Sequence, residues 1–183
     1  MTHILQLALT SNDPDRALAM ARATGGSYYA DPREPYDPLP FRALVTATTD
    51  DADRFATAAD VGLYVVCRRT IKAGDAAAIG IFPLVHHPER THTESDAHWR
   101  DKHAPLALVH HPHMTHYTQL SVVARLAGPD IDGFAFCGFA SVADLRDRFY
   151  TEPASIKVIA NDVASFADTK RSPRRLIATD IHL

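Results

Sequence analysis

The stretch Asp96-Ala97-His98-Trp99-Arg100-Asp101-Lys102-His103-Ala104-Pro105-Leu106 stands between two strand-like runs and predicts the helix from which the fold can be worked out. At about 100° per residue, Trp99, His103 and Leu106 share one stripe of that helix, which is apolar except for the imidazole. The pattern predicts that this stripe lies against a sheet and that the His103 ring points into the interior.

Two local signals set the expected limits of this helix. Thr93 with Asp96 three residues on resembles a capping box, so we expect the helix to begin at Glu94. Pro105 has no N–H for the carbonyl of Asp101, so we expect a kink or an end there, with a backbone acceptor left free beside the imidazole.

Outward from this helix, the order of strand-like and helical runs repeats. Predicted elements of the first half cover residues 3–10 (strand), 14–24 (helix), 27–29 and 41–48 (strands), 50–59 (helix) and 62–71 (strand). Those of the second half cover 77–86 (strand), 94–109 (helix), 114–126 and 131–139 (strands), 141–150 and 153–168 (helices) and 174–183 (strand). Residues 31–40 contain four prolines, which predicts a loop.

Both halves have the β-α-β-β-α-β order of a ferredoxin-like sheet with helices on one face. The other face of each sheet needs a cover, and two sheets packed together would share one core, which predicts an α+β pseudo-dimer within one chain. We divide the chain into residues 1–75 and 76–183. A single doubly wound sheet is the alternative, but the turn at Gly128-Pro129 is more typical of antiparallel neighbours.

Composition and charge restrict the class of protein. The 183 residues are 46% hydrophobic and 22% charged, which suits one core or two small fused ones. A net charge of −3 gives no basic field for nucleic acid. The first residues lack a secretion signal and no run is long enough to cross a membrane, so we expect a cytoplasmic protein. The cations before the last strand are interpreted as solvated: Arg171, Arg174 and Arg175.

Cysteine and histidine differ in what they indicate. Cys67 and Cys137, without a CxxC pair, fit a reducing compartment and receive no role. Nine of the eleven histidines lie between positions 86 and 116. His98 is five residues from His103, about 140° around an α-helix, whereas zinc-binding histidines of one helix stand four apart, so we predict no metal site there.

Metal ions bound elsewhere, haem and nucleotides are the other cofactors to consider. The histidine-rich loops 86–88 and 110–113 could bind a metal ion, but solvated loops are the preferred interpretation. A haem iron held by a lone histidine is a further alternative. No glycine motif for a dinucleotide or a phosphate occurs, and the prediction is therefore no cofactor.

The strand predicted at 114–126 supplies polar partners for His103. Period-two alternation puts Tyr117 and Gln119 on one face, and both point at the imidazole if that face meets the helix. Such a group could orient a carbonyl or a phenol, with His103 as general acid or base. A buried histidine satisfied by a polar network is the structural alternative.

The run Trp99-Arg100-Asp101-Lys102-His103-Ala104-Pro105-Leu106 resembles the W-R-D-x-H-x-P-L motif of EthD-like proteins. Shorter pieces that agree in order are Tyr117-Thr118-Gln119 with the Y-x-Q strand of that family, Asp132-Gly133 with its D-G pair, and Ile159-Ala160-Asn161-Asp162 with Phe166. The resemblance covers residues 77–183. The helix of the first half has no Trp, His or Pro at matching places, so residues 1–75 are interpreted as a degenerate repeat.

This resemblance implies two tandem ferredoxin-like repeats assembled as a dimeric α-β barrel, with one small-molecule site between the second sheet and its helices. We assign His103 as the catalytic candidate. Candidates for substrate binding are Trp99, Leu106, Tyr117 and Gln119.

Membership of the EthD-like family would leave the activity open, because its relatives include polyketide cyclases, dehydratases and decarboxylases, and its name comes from an ether-degradation gene cluster associated with oxidation. The leading hypothesis is a cofactor-independent lyase or cyclase acting on a small aromatic or polyketide-like molecule. The alternatives are an oxidoreductase of monooxygenase type or its accessory protein, and a non-catalytic binding or dimerisation module. Pairing of chains as a homodimer is left open, and neither nucleic acid nor a membrane is a predicted partner.

Overall fold

The computed structural model of the chain describes residues 3–33, 39–150 and 152–183. The described strands are β1 His3–Ser11, β2 Ser27–Ala30, β3 Ala43–Ala47, β4 Gly62–Lys72, β5 Ala78–Leu84, β6 His116–Ala127, β7 Gly133–Phe139, β8 Leu176–Ala178 and β9 Asp180–His182. The described helices are α1 Pro14–Thr24, α2 Ala52–Ala58, α3 His92–His98, α4 Ala104–His110, α5 Val142–Asp147 and α6 Pro153–Phe166, with a 3₁₀ turn at Thr49–Asp51 and a π-helical turn at Trp99–His103. The predicted loop at 31–40 falls in part on residues 34–38, which lie outside the described residues.

These nine strands form one antiparallel sheet with the order β8-β5-β7-β6-β4-β1-β3-β2-β9. Each half contributes four neighbouring strands in ferredoxin-like order, β4-β1-β3-β2 and β8-β5-β7-β6. Pairing of β4 with β6 joins the halves edge to edge, and pairing of β9 with β2 nearly closes the sheet into a barrel. The predicted fold of two tandem repeats is confirmed, and the doubly wound alternative, which needs parallel strands, is wrong.

The end of the chain, predicted as one strand over 174–183, is two short strands with different partners. Strand β8 pairs with β5 of the second half, whereas β9 pairs with β2 of the first half. Between them, the N–H of Thr179 donates to the carbonyl of Ala30. Both strands are short and extended, so local pattern cannot show that the chain changes partner at this point.

A packed core fills the barrel, and both halves contribute to it. The rings of Tyr29 and Tyr64 from the first half meet those of Phe136 and Phe134 from the second, with centroids 4.9 and 5.4 Å apart. All four side chains are almost fully buried. Edge-to-face pairs of this kind add about 0.5–1.5 kcal/mol beyond the burial of their area, so the halves stabilise each other directly.

Helices cover the outer face of each half of the sheet. In the first half, Ala17 and Ala21 of α1 and Phe55 of α2 pack on β1 and β3. In the second half, residues 92–110 and α6 cover the sheet around Trp99. Within residues 3–33, 39–150 and 152–183, no helix is both long and apolar enough to cross a membrane.

Candidate active site

The helix that carries the candidate residues begins at His92, two residues earlier than the sequence predicts. Thr91 is its N-cap: the hydroxyl accepts the N–H of Glu94 at 3.2 Å, and the Glu94 carboxylate accepts the N–H of Thr91 at 2.8 Å. The predicted box of Thr93 and Asp96 is wrong, because the Asp96 carboxylate faces a buried cation instead, as described below.

A π-helical turn interrupts the α-helix at Trp99–His103. The N–H of Ala104 donates to the carbonyl of Trp99, which is five residues back rather than four. Pro105 then lies in the first turn of α4, where a missing N–H is tolerated, so the chain continues as a helix and the predicted break does not occur. Single π turns of this kind are frequent at functional sites.

The wide turn brings two histidines to one carboxylate. His98 Nε2 lies 2.8 Å from Asp162 Oδ1, and His103 Nδ1 lies 2.7 Å from Asp162 Oδ2. The prediction that His98 lies on another side of the helix is wrong, because it assumed about 100° per residue throughout. Residues five apart lie on one side when a π turn separates them.

Residues beyond the turn are displaced by one position relative to a regular helix. The side chains that face the sheet are Trp99, His103 and Ala107, all buried. Leu106 is half-buried and lies outside the cavity wall. The prediction that Leu106 binds substrate assumed a regular α-helix, which would place Leu106 on the same side as Trp99 and His103.

A cavity of about 120 Å³ lies between the second half of the sheet and the helices that cover it. Most of its wall is apolar or aromatic, and its polar side chains include two histidines and two tyrosines: His103, His111, Tyr117 and Tyr150. Of the other predicted residues, Trp99 lines the cavity and Gln119 lies behind the wall. An apolar cavity with a few convergent polar groups is the usual composition of a small-molecule site.

One nitrogen of His103, Nδ1, is held by Asp162, and the other, Nε2, has no hydrogen-bond partner among the described residues. The imidazole is 8% exposed and contacts the ring of Phe166, with centroids 5.1 Å apart. Burial opposes ionisation of Asp162, but hydrogen bonds from His103 and His98 outweigh it and lower the pKa of that carboxyl. An ionised Asp162 keeps the proton on His103 Nδ1 and leaves a basic lone pair on Nε2.

Tyr117 lines the same cavity, and its hydroxyl receives two hydrogen bonds. Its oxygen accepts the indole N–H of Trp99 at 3.2 Å and the amide N–H of Gln119 at 3.0 Å, which uses both lone pairs. The Gln119 amide also donates to the carbonyl of Trp99 at 3.0 Å, which fixes its orientation. Burial raises the pKa of Tyr117, so the phenol stays protonated and can donate to a ligand. The predicted pairing of Tyr117 and Gln119 on the face toward the helix is confirmed.

His111 lines the cavity, although the sequence predicts a solvated loop at 110–113. Its Nδ1 lies 2.7 Å from the carbonyl of Phe149, and the ring is 3% exposed. Burial lowers the pKa of His111 to about 4, so the ring is neutral near pH 7 and its Nε2 accepts hydrogen bonds. The signal that could have found it is the spacing of four from His103 to Ala107 and from Ala107 to His111.

In the Asp132-Gly133 pair, the glycine leaves space for the ring of Trp99 and the aspartate binds two histidines. A side chain at residue 133 would approach the Trp99 ring to 2.6 Å, so only glycine leaves room for the indole. The carboxylate of Asp132 binds His86 Nδ1 at 2.8 Å and His92 Nδ1 at 2.9 Å. The histidines at 86 and 92 therefore have a structural partner.

The first half of the chain also supports the site. Arg69 of β4, only 2% exposed, bonds to Asp96 at 2.9 and 2.5 Å. Its guanidinium lies over the Trp99 ring, 5.5 Å from the centroid. Through this cation–π contact, a residue of the first half packs against Trp99 in the cavity wall, so the cavity depends on both repeats.

Residues 3–33, 39–150 and 152–183 contain no group of three or more His, Cys, Asp or Glu side chains arranged to hold a metal ion. Burial raises the pKa of the Cys137 thiol, which lines the cavity, to about 12, so this sulfur stays protonated.

Fold and cavity together define a dimeric α-β barrel protein in which one chain supplies both ferredoxin-like sheets. No protein-family model matches the chain, and no curated protein does. Similar solved structures are an anthrone oxidase-like protein (10% identity, 98% of this chain and 92% of the other, TM-score 0.54) and a "putative monooxygenase from Lactobacillus acidophilus NCFM" (10%, 99% and 96%, TM-score 0.53). A mutant chlorite dismutase from Candidatus Nitrospira defluvii is also similar (12%, 96% and 90%, TM-score 0.50). At such low identity these likenesses establish the fold alone.

Proposed function

We propose that the chain is an EthD-like enzyme of small-molecule metabolism, in which His103 is a general acid and base and no cofactor is bound. The proposed chemistry is of cyclase, dehydratase or decarboxylase type on an aromatic or polyketide-like molecule. One observation carries the proposal: His103 is paired with Asp162 through Nδ1 and shares an apolar cavity with Tyr117, whose hydroxyl oxygen already accepts two hydrogen bonds. We also propose that residues 76–183 form the repeat that carries the site, and residues 1–75 its degenerate counterpart.

Proton transfer in such a site can be written with its atoms balanced. His103 Nε2 removes a proton from a carbon beside a carbonyl, and the electron pair moves onto the carbonyl oxygen. The hydroxyl of Tyr117 donates to that oxygen, and Asp162 stabilises the imidazolium. In a dehydration the electron pair then expels a β-hydroxyl, which takes the proton from Nε2 and leaves as water. In a cyclisation the carbon attacks a second carbonyl, whose oxygen takes that proton.

An oxidoreductase is the second candidate, supported by the names of two structural neighbours, the anthrone oxidase-like protein and the monooxygenase. The same deprotonated carbon can react with dioxygen, so that an activated CH₂ group and O₂ become a carbonyl and water. A non-catalytic binding module is the third, and it would bind the same ligands without turnover.

The test begins with a thermal-shift screen of phenols, anthrones and short β-ketones, followed by turnover measurements with each stabilising compound. We expect His103→Gln to lower turnover by roughly 100-fold or more while the melting temperature stays close to that of the wild type, since a general acid-base group contributes about that much. His182→Gln, which changes an exposed histidine on β9, is the matched control and should leave turnover unchanged.

Two results would contradict the proposal. If His103→Gln melts far below the wild type and no compound stabilises either protein, the imidazole serves only the core. If ligands bind but no product forms in air or under nitrogen, the chain is a binding module.

A further inference from the structure

Arg175 lies beside the candidate site, although the sequence places it among solvated cations. In the strand that follows it, Leu176 and Ala178 point into the barrel, whereas Ile177 belongs to the core beneath the helices. Alternation along the strand puts Arg175 on the same face as Ile177. Its guanidinium lies over the ring of Phe82, 5.5 Å from the centroid, and that ring lines the cavity.

This arginine is half-buried, and no carboxylate among the described residues pairs with it. Within residues 3–33, 39–150 and 152–183, it forms neither an ion pair nor a hydrogen bond, and it interacts electrostatically with the cavity residues Tyr150 and Cys137. Burial, and to a smaller extent the charges of Arg33 and Arg174, lower the pKa of Arg175. A guanidinium stays charged in proteins, and a partly buried unpaired charge is unfavourable. The position therefore suits an anionic ligand.

The size of the cavity limits what that anion can carry. Its volume of about 120 Å³ is close to that of an engineered cavity of roughly 150 Å³ that binds benzene. The wall is mostly apolar and aromatic. One aromatic ring fills such a space.

We infer that the ligand of this cavity is a single-ring aromatic acid, whose ring fills the apolar space and whose carboxylate binds Arg175. The inference rests on the proposed function, and it narrows the substrate class from aromatic or polyketide-like molecules. A guanidinium binds a carboxylate through two parallel hydrogen bonds. This pairing selects a negatively charged ligand and fixes the orientation of its ring. His103 and Tyr117 are then left to act on another substituent of the ring.

Benzoate and benzamide provide a matched pair of probes, because they differ in charge and hardly in shape. Trp99 is the only tryptophan of the chain and lines the cavity, so its fluorescence reports binding directly. We expect the wild type to bind benzoate about tenfold or more tightly than benzamide, the preference that a charge-assisted bidentate pair gives.

Substitutions then test the anchor. Arg175→Met keeps an unbranched chain over Phe82 and should remove the preference for benzoate, while benzamide affinity changes less than about twofold. Arg175→Lys keeps the charge without the fork and should retain only part of the preference. Arg171→Met removes an exposed arginine that pairs with Asp130, and this control should bind both probes like the wild type.

Each outcome decides between the two proposals. If benzamide binds the wild type as tightly as benzoate, or Arg175→Met keeps the preference, the anchor is refuted and the cavity remains a candidate site. If neither probe quenches Trp99, the single-ring ligand and the anchor are both refuted, and the screen of phenols, anthrones and β-ketones decides the proposed function. The comparison of the two probes on the wild type decides even where a variant does not fold.

Discussion

The two halves share one topology, but their helical layers differ in what they place on the sheet. In the first half, α1 buries Ala17 and Ala21, whose small side chains let the helix lie close to the strands. In the second half, the corresponding segment buries Trp99 and His103 around a π turn, and a cavity of about 120 Å³ remains. One arrangement of strands can thus hold either a closed layer or a site, and the side chains of its first helix decide which.

Separating the halves should have the largest effect. We expect residues 1–72 and 76–183, expressed alone, to be unfolded or aggregated, because each would expose its side of the barrel core and its unpaired edges at β4 and β6. Circular dichroism and urea titration of each piece, with the intact chain as control, measure this. Two independently stable monomers would show that the shared core is not needed.

A matched pair of helix substitutions tests the closed layer against the cavity. Ala21→Leu should destabilise the chain by about 1–3 kcal/mol, because added methyl groups overpack a filled layer. Ala107→Leu should lower stability by less than about 1 kcal/mol, because its side chain can enter the cavity, and it should block benzamide binding. The free energies of unfolding in urea and Trp99 quenching measure both. Equal losses in the two variants would contradict the difference between the layers.

The carboxylate of Asp132, which binds two histidines of the second half, predicts a dependence of stability on pH. Burial opposes ionisation of Asp132, but hydrogen bonds from His92 and His86 lower the pKa of its carboxyl to about 2. A lowered pKa in the folded state stabilises above the ordinary value near 4, and that contribution is lost as pH falls through about 2. We therefore expect Asp132→Asn to be about 2 kcal/mol less stable than the wild type at pH 5, and the difference to shrink toward pH 2.

Unfolding curves at pH 2, 3, 4 and 5 measure that difference. Asp53→Asn, which changes an exposed carboxylate of the first half, is the control and should match the wild type throughout. A difference that stays constant with pH would mean that Asp132 acts through shape and not through its charge.

Metal removal should have the smallest effect, in spite of the many histidines in the second half. Two pairs of imidazoles already share carboxylates: His86 with His92 on Asp132, and His98 with His103 on Asp162. We expect purified protein to hold far less than one equivalent of metal or haem after dialysis, and a chelator to leave the melting temperature unchanged. Elemental analysis and a visible spectrum measure this, and one bound equivalent would give the histidines a ligand role.

Local pattern was sufficient for the order of the elements as far as β8. The bounds of α1 agree with the predicted helix at 14–24, because a capping aspartate, a proline at the first position and a glycine at the end are all adjacent in sequence. The face of β6 that carries Tyr117 was also predictable from alternation. The π turn at 99–103 was not, because a helix read at a constant angle per residue places Leu106 and His98 wrongly.

The sequence by itself determined two β-α-β-β-α-β units, the buried position of His103, and the face of β6 that carries Tyr117 and Gln119. Each of these depends on residues that are neighbours along the chain. Tertiary structure alone decided that Asp162, 59 residues from His103, holds its imidazole, that His111 enters the cavity and that β9 pairs with the first half. Contacts of this range arise only when the sheet closes and the helices settle on it. Periodicity reports which side of an element faces inward, and packing decides which residues meet there.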